Sequence, residues 1–172
     1  EFKKILNNIP GDDVICCLST FNYMKYFKFW LKSAEKIIPN IKKIVIVFAL
    51  DLKTFEECKK MNVPCYYEKI FGDFSESNAY GDTSFNIIMH MKNVSITSIL
   101  ENSNKNLLFQ DVDLIWFKNP FDLCKNQPYD IMYMEDHNDR FSPTYVNSGF
   151  MYIKNNKLTK NLYDTCLNDF LF

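Results

Sequence analysis

The stretch Leu107-Leu108-Phe109-Gln110-Asp111-Val112-Asp113-Leu114-Ile115-Trp116-Phe117-Lys118-Asn119-Pro120 decides how this chain is read. Leu107, Leu108 and Phe109 form an apolar run of the kind a buried strand requires. Two carboxylates, Asp111 and Asp113, follow with one residue between them. Side chains alternate along a strand, so both carboxylates are expected to point the same way at the strand end, with Val112 turned into the core. Ile115, Trp116 and Phe117 are expected to resume apolar packing, and Asn119-Pro120 to turn the chain. Two like charges this close repel each other unless a cation stands between them. A hard divalent ion such as Mg²⁺ or Mn²⁺ does this, and it recruits substrate phosphates as further ligands. The stretch therefore predicts a metal–diphosphate site at the carboxyl end of a strand, where open α/β sheets bind ligands. The alternative is a strand ending in a solvated acidic turn. Apolar runs flank the carboxylates closely on both sides and favour the site.

Upstream, residues 1–13 are polar and mixed, ending in the turn Pro10-Gly11-Asp12-Asp13. Val14 to Leu18 reads as a buried first strand, and Ser19-Thr20 as an N-cap for the helix that follows. In that helix Tyr23, Tyr26, Phe27, Trp30, Leu31, Ala34, Ile37 and Ile38 recur at helical spacing. Ile44 to Leu50 is a second strand. After Asp51 comes a short helix over about Lys53 to Met61, with Asn62 as its left-handed cap. Val63 to Tyr67 is a third strand. This alternation predicts a parallel α/β half of nucleotide-binding type. No glycine-rich phosphate cradle follows the first strand, so a metal on Asp111 and Asp113 is needed to supply the missing charge.

Gly72 to Ser84 reads as a loop and Phe85 to about Glu101 as a second long helix. Physical chemistry alone makes Lys92, on this helix, a solvated surface lysine. Downstream of the central stretch, Tyr129 to Met134 is an apolar strand followed by the polar run Glu135 to Arg140. Asn147, Ser148 and Gly149 are expected in a turn, with a strand starting at Phe150; a glycine there lets backbone approach a ligand closely. Thr159 is placed to cap a last helix.

The 172 residues, 47% hydrophobic, suit one globular domain with a sizeable core, taken here as 1–172. The net charge of −1 gives no pull toward nucleic acid. Nineteen of the 20 basic residues are lysine, which points to compositional bias and not to a phosphate-binding surface. No apolar run is long enough to span a membrane, and the opening residues do not read as a signal peptide. Cys16 and Cys17 lie inside an apolar run and read as core thiols. Cys58 and Cys65 are the one pair worth considering for a disulfide.

Two motifs together carry a family likeness. Asp111-Val112-Asp113-Leu114-Ile115-Trp116-Phe117-Lys118-Asn119-Pro120, followed by Val146-Asn147-Ser148-Gly149-Phe150-Met151-Tyr152-Ile153-Lys154, resembles the nucleotide-diphospho-sugar transferases of glycosyltransferase family 77. Collinear support comes from Ser19-Thr20-Phe21-Asn22, Ala49-Leu50-Asp51, the Cys58 to Cys65 segment and Lys92, so the likeness runs from about Val14 to Asn168. The resemblance implies a GT-A-type fold, with a mostly parallel central sheet flanked by helices, a divalent metal (Mn²⁺ or Mg²⁺) and a sugar-nucleotide donor. It implies a retaining transfer to a glycan or glycoprotein acceptor, in the Golgi or another secretory lumen. By position, Asp111 and Asp113 would hold the metal. Ser19, Thr20, Asn22 and Asp51 would line the nucleotide pocket, Lys92 would sit near the diphosphate or sugar, and Asn147, Ser148 and Gly149 would border the sugar or acceptor. Asp136 and Glu135 are the carboxylates offered near the sugar, Asp136 as the catalytic one, although a solvated loop position is the commoner lot of such acids.

Such enzymes usually draw a further metal ligand, often a histidine, from a C-terminal portion. His90 and His137 both precede that point. The chain is therefore expected to be incomplete at its C-terminus, or to be a minimal or inactive relative. The rival function from another class is a non-catalytic sugar-nucleotide or glycan binding module that has kept the fold.

Overall fold

The computed structural model describes residues 1–69, 83–135 and 146–169. In chain order the elements are α1 (Phe2–Asn8), β1 (Asp13–Ser19), a 3₁₀ turn (Phe21–Tyr23), α2 (Met24–Glu35), a second 3₁₀ turn (Ile41–Ile44), β2 (Val45–Ala49), α3 (Leu52–Lys60), β3 (Cys65–Tyr66), α4 (Thr83–Asn102), β4 (Asn106–Gln110), α5 (Pro120–Cys124), β5 (Ile131–Glu135), β6 (Val146–Ile153) and α6 (Lys157–Asp169). Among the described residues the strands form one six-stranded sheet in the order β3-β2-β1-β4-β6-β5. The β2–β3, β1–β2 and β1–β4 pairs are parallel, whereas β4–β6 and β5–β6 are antiparallel. The expected mostly parallel sheet flanked by helices is thus observed.

The strands alternate between two apolar layers, as the period of two demands. Ile15 and Cys17 of β1, Val45 and Val47 of β2, Leu108 of β4 and Tyr152 of β6 pack under α2 and α3. Val14, Cys16, Ile46, Phe48, Leu107, Phe109, Met151 and Ile153 pack on the other side, against α1, α4 and α6. Near-continuous apolar strands follow from burial on both faces. Cys16 and Cys17 are fully buried, and burial pushes the Cys16 thiol up to about 12, so both are core thiols as read from the sequence. Cys58 and Cys65 are free thiols, so the pair considered for a disulfide is not bonded in the structure.

Several local expectations are corrected. Residues 2–8 are a helix and not a polar lead-in, because Phe2, Ile5, Leu6 and Ile9 recur at helical spacing and close one edge of the α4 layer. The third strand shrinks to Cys65 and Tyr66 at the sheet edge. Thr159 lies inside α6. The side chain of Asn156 caps that helix instead, accepting from the backbone N–H groups of Leu158 (2.9 Å) and Thr159 (3.1 Å). Asn62 does take the left-handed conformation expected of it, with φ 54°.

The segment after β4 differs most. Val112 turns into the core as expected, but of the three residues read as resuming apolar packing only Trp116 is buried. Ile115 is 61% and Phe117 87% exposed. Trp116 packs edge-on to Trp30 with centroids 5.8 Å apart, and its backbone N–H donates to Ser33 Oγ at 3.1 Å. Its indole Nε1–H donates to Gln110 Oε1 at 3.0 Å, closing a loop over residues 111–115. Gln110 is fully buried, so its oxygen has no access to water in compensation. Trp116→Phe keeps the ring packing but strands that acceptor, and is expected to cost about 1–3 kcal/mol. A shifted midpoint at unchanged slope in urea unfolding checks it.

Candidate functional site

The parallel strands deliver their carboxyl ends to one edge of the sheet. Ser19 ends β1 in register with Ala49 at the end of β2. Gln110 ends β4 opposite Phe150 of the antiparallel β6. The amino-terminal half of β6 therefore lies beside the carboxyl end of β4, and Asn147, Ser148 and Gly149 come to the same edge as Asp111. Residues 147–149 were expected in a turn, but β6 begins at Val146. A register shift between Tyr133 and Met134 accommodates the extra residues of β6.

Asp111 and Asp113 lie just beyond β4, and their environments differ. The backbone N–H of Asp111 donates to Gly149 O at 2.8 Å, extending the β4–β6 pairing by one bond. Its carboxylate lies against Lys92, whose Nζ is 2.8 Å from Oδ1 and 3.1 Å from Oδ2. Asp113 is exposed and has no ion pair or hydrogen bond among the described residues. Lys92 is not the solvated lysine that helix position alone suggests. It is 8% exposed and passes within 5.6 Å of the Phe109 ring centre on its way up from α4. The reason is tertiary: α4 packs with Met91, Ser95, Ile96 and Ile99 inward, and Lys92 shares that buried sector.

Gly149 is required by space and not by backbone strain. A Cβ there would stand 2.6 Å from Asp111 Oδ2 and 2.8 Å from Asn147 Oδ1. Asn147 Oδ1 already accepts from the Gly149 N–H at 2.7 Å. The carboxylate of Asp111 thus lies on the ammonium of Lys92 and borders the space that a side chain at position 149 would fill.

Asp51 is 1% exposed and works on the backbone. Oδ1 caps α3 by accepting from Thr54 N–H at 2.7 Å, and Oδ2 accepts from Phe21 N–H at 2.7 Å. The expected cap of the first long helix by Ser19 or Thr20 is not formed. The Ser19 hydroxyl donates to Thr20 O at 3.0 Å, and α2 starts only at Met24, after the 3₁₀ turn. What holds that turn is the carboxylate of Asp51, thirty residues away. Ser19 and Thr20 are buried, whereas Asn22 and Ser148 are exposed at the same edge. Asp136, the carboxylate offered as catalytic, lies outside the described residues, as does His137.

Two features of the site had no sequence signal of their own: the Gln110–Trp116 bond that shapes the Asp111–Asp113 loop, and the link from Asp51 to Phe21. Both depend on which strands become neighbours. Among the described residues no group of three or more histidine, cysteine, aspartate or glutamate side chains comes together. The two carboxylates beyond β4, Asp111 held by Lys92 and Asp113 open to solvent, offer only hard oxygens. They fit a Mg²⁺- or Mn²⁺-type ion that keeps waters and takes further oxygens from phosphates, not an all-protein cage. With Lys92 alongside, the edge offers oxygen ligands to a cation and an ammonium to an anion.

The family model described as nucleotide-diphospho-sugar transferase matches residues 40–169, most of the chain. No curated relative matches in sequence. Among solved structures, the galactosyltransferase LgtC, determined with donor and acceptor sugar analogues, superposes with a TM-score of 0.61 at 14% identity, over 90% of this chain and 65% of its own. Mouse xyloside xylosyltransferase 1 gives a TM-score of 0.61 at 12% identity, over 94% of this chain and 75% of its own. The glycosyltransferase GlyE of Streptococcus pneumoniae gives 0.56 at 13% identity, over 93% of this chain but only 38% of its own. The shared feature is the fold, and the chain spans between 38% and 75% of these proteins.

Removing the Asp51 carboxylate acts at two places at once. Asp51→Ala is expected to lower stability by about 1–2 kcal/mol through the lost cap. It is also expected to speed amide exchange at both Phe21 and Thr54, which hydrogen–deuterium exchange reads residue by residue.

Proposed function

This chain belongs to the nucleotide-diphospho-sugar transferase family, and from that premise we propose that it binds a nucleoside-diphosphate sugar at the carboxyl edge of its parallel strands and transfers the sugar to an acceptor hydroxyl. The observation that carries this is the meeting of Asp111, Lys92 and Gly149 at the strand edge, with Asp113 exposed beside them. A diphosphate needs cationic charge close by, and this edge holds a buried ammonium and an all-oxygen donor set but no glycine cradle.

In this proposal Asp111 and Asp113 hold a divalent cation, Mn²⁺ or Mg²⁺. When bound, such an ion neutralises charge that builds on the leaving diphosphate. Ser19, Thr20 and Asn22 border the nucleotide, and Asp51 keeps that turn in place through the Phe21 N–H. Lys92 faces the diphosphate, and Asn147, Ser148 and Gly149 border the sugar or acceptor. Gly149 lets the donor and the Asp111 carboxylate share a space that a methyl group would fill. In the transfer the bond from the anomeric carbon to the diphosphate oxygen breaks and one to the acceptor oxygen forms, while the acceptor gives up its proton. Retention of configuration, Asp136 as the carboxylate near the sugar, a glycan or glycoprotein acceptor and a secretory-lumen setting complete the proposal by family likeness. Among the described residues no helix is long and apolar enough to cross a membrane. A binding module without turnover is the second reading, favoured by the donor set of only two carboxylates among the described residues.

Calorimetric titration with a panel of nucleoside diphosphates, with and without Mn²⁺, tests the site. Wild-type protein is expected to bind one of them in a Mn²⁺-dependent way. Asp113→Ala is expected to lose at least about tenfold in affinity, the loss of one charge-assisted interaction. Gly149→Ala is expected to weaken binding with little change in unfolding midpoint, since only side-chain termini crowd the added methyl. Equal or absent binding in every arm, on folded protein, means that this edge does not by itself form a metal–diphosphate site. Hydrolysis of the matching nucleotide sugar in the absence of acceptor separates an enzyme from a binding module.

A further inference from the structure

We propose that Lys92 is the resting counter-ion of Asp111 and is handed over to the donor diphosphate when a divalent cation takes that carboxylate, so that cation and donor bind cooperatively. The inference rests on the functional reading above and adds how the two ligands of that site are coupled.

The geometry poses a conflict. Lys92 Nζ engages both carboxylate oxygens of Asp111, at 2.8 and 3.1 Å. The Lys92 side chain is only 10% exposed, whereas that of Asp111 is 40% exposed. A cation arriving from solvent therefore reaches Asp111 from its open side while the ammonium holds it from below. One carboxylate between a divalent ion and an ammonium puts two positive groups a few ångströms apart, and like charges at that distance repel. Asp113, exposed and without a partner among the described residues, offers no such resistance.

The conflict cannot be relieved by moving Lys92 into water. Its side chain is enclosed by the α4 packing and the Phe109 ring, and among the described residues Asp111 is its one acidic partner. Breaking a buried pair from one side leaves an uncompensated charge, which is costly. Cation binding without donor is thus opposed by the stranded ammonium. A diphosphate removes the opposition, since it brings acceptor oxygens that a lysine binds as a point charge. Linkage then requires reciprocity: the donor raises cation affinity by the same factor by which the cation raises donor affinity.

The test measures Mn²⁺ binding by electron paramagnetic resonance, without nucleotide and then with UDP or whichever nucleoside diphosphate the titration panel selects. Wild-type protein is expected to bind Mn²⁺ weakly alone and on the order of tenfold more tightly with nucleotide, within the usual range of coupling between sites. Lys92→Met removes the ammonium but keeps an unbranched apolar stem above Phe109. It is expected to bind Mn²⁺ alone about tenfold more tightly than wild type and to show a correspondingly smaller enhancement by nucleotide, keeping only the part that phosphate oxygens on the ion supply. Lys92→Gln serves as a second neutral variant should the methionine disturb packing, with thermal unfolding as the fold check. Lys92→Arg, which keeps the charge, is expected to retain both the weak Mn²⁺ binding and the coupling. Unchanged or weaker Mn²⁺ binding in the folded neutral variants overturns the handover; if wild type still binds nucleotide with Mn²⁺, the functional reading survives. Absence of Mn²⁺ and nucleotide binding in wild type overturns both. Lys92 acting only as a structural prop predicts lower stability in the neutral variants with no gain in Mn²⁺ affinity, and that result also overturns the handover.

Discussion

The pairing of β4 on both edges governs the molecule. Its one edge takes β1 in parallel and its other takes β6 antiparallel. Leu107, Leu108, Phe109 and Gln110 are all fully buried, two apolar residues on one face and one on the other. A strand so enclosed must end where its neighbours can still satisfy its backbone, and the last bond is Asp111 N–H to Gly149 O. Reversal of direction at β6 brings the amino-terminal end of that strand, and not its far end, to the edge where β1 and β2 stop. A parallel strand in its place would have delivered a different part of the chain.

From this constraint follows a concentration of polar groups at one edge, each handled differently. Asp51 is buried and is balanced by two backbone N–H groups. Asp111 is balanced by a buried lysine. Asp113 stays in solvent. These are not equivalent solutions in energy. The surface pair Lys28–Glu57 is short, at 2.6 Å, but its lysine is 44% exposed and such a pair contributes roughly 0–1 kcal/mol. Lys92 has lost most of its hydration, so its attachment to Asp111 compensates a cost as much as it adds stability. A second polar link ties the opposite end of the sheet. The Tyr152 hydroxyl donates to Asp13 Oδ1 at 3.0 Å, and Lys125 Nζ lies 2.5 Å from Oδ2 of the same carboxylate. Burial, reinforced by the Asp13 charge, holds the Tyr152 pKa above its ordinary value and keeps it a donor. That pair serves the fold; at the other edge Asp111 is held by Lys92 and Asp113 is left open to solvent.

Local pattern went a long way in this chain because strands buried on both faces and helices buried on one leave distinct signatures. Val45 to Ala49 is apolar without interruption, and α2 carries Phe27, Trp30, Leu31 and Ala34 on one side. Misreadings arose where short elements depend on partners. The helix at Phe2–Asn8 is held by contact with β2, β3 and α4, among them the Phe2 ring on Phe48 and Tyr66. Ile115 and Phe117 look like core residues by composition, yet the chain passes the edge of the sheet there and only Trp116 finds a cavity between Trp30 and Phe121. Ser19 and Thr20 have the chemistry of a cap, but a carboxylate from another loop reaches the backbone first.

By itself the sequence determined the layered α/β plan, the position of the paired carboxylates at the end of β4 and the turn of Val112 into the core. Those properties follow from hydrophobic period and run length within a few residues. Only the tertiary structure decided that Lys92 is buried against Asp111, that Asp51 clasps the turn at Phe21, and that Gly149 leaves room beside the Asp111 carboxylate. Each of these joins residues 19 to 38 positions apart. Such contacts are set by strand order and direction, which no local spacing encodes.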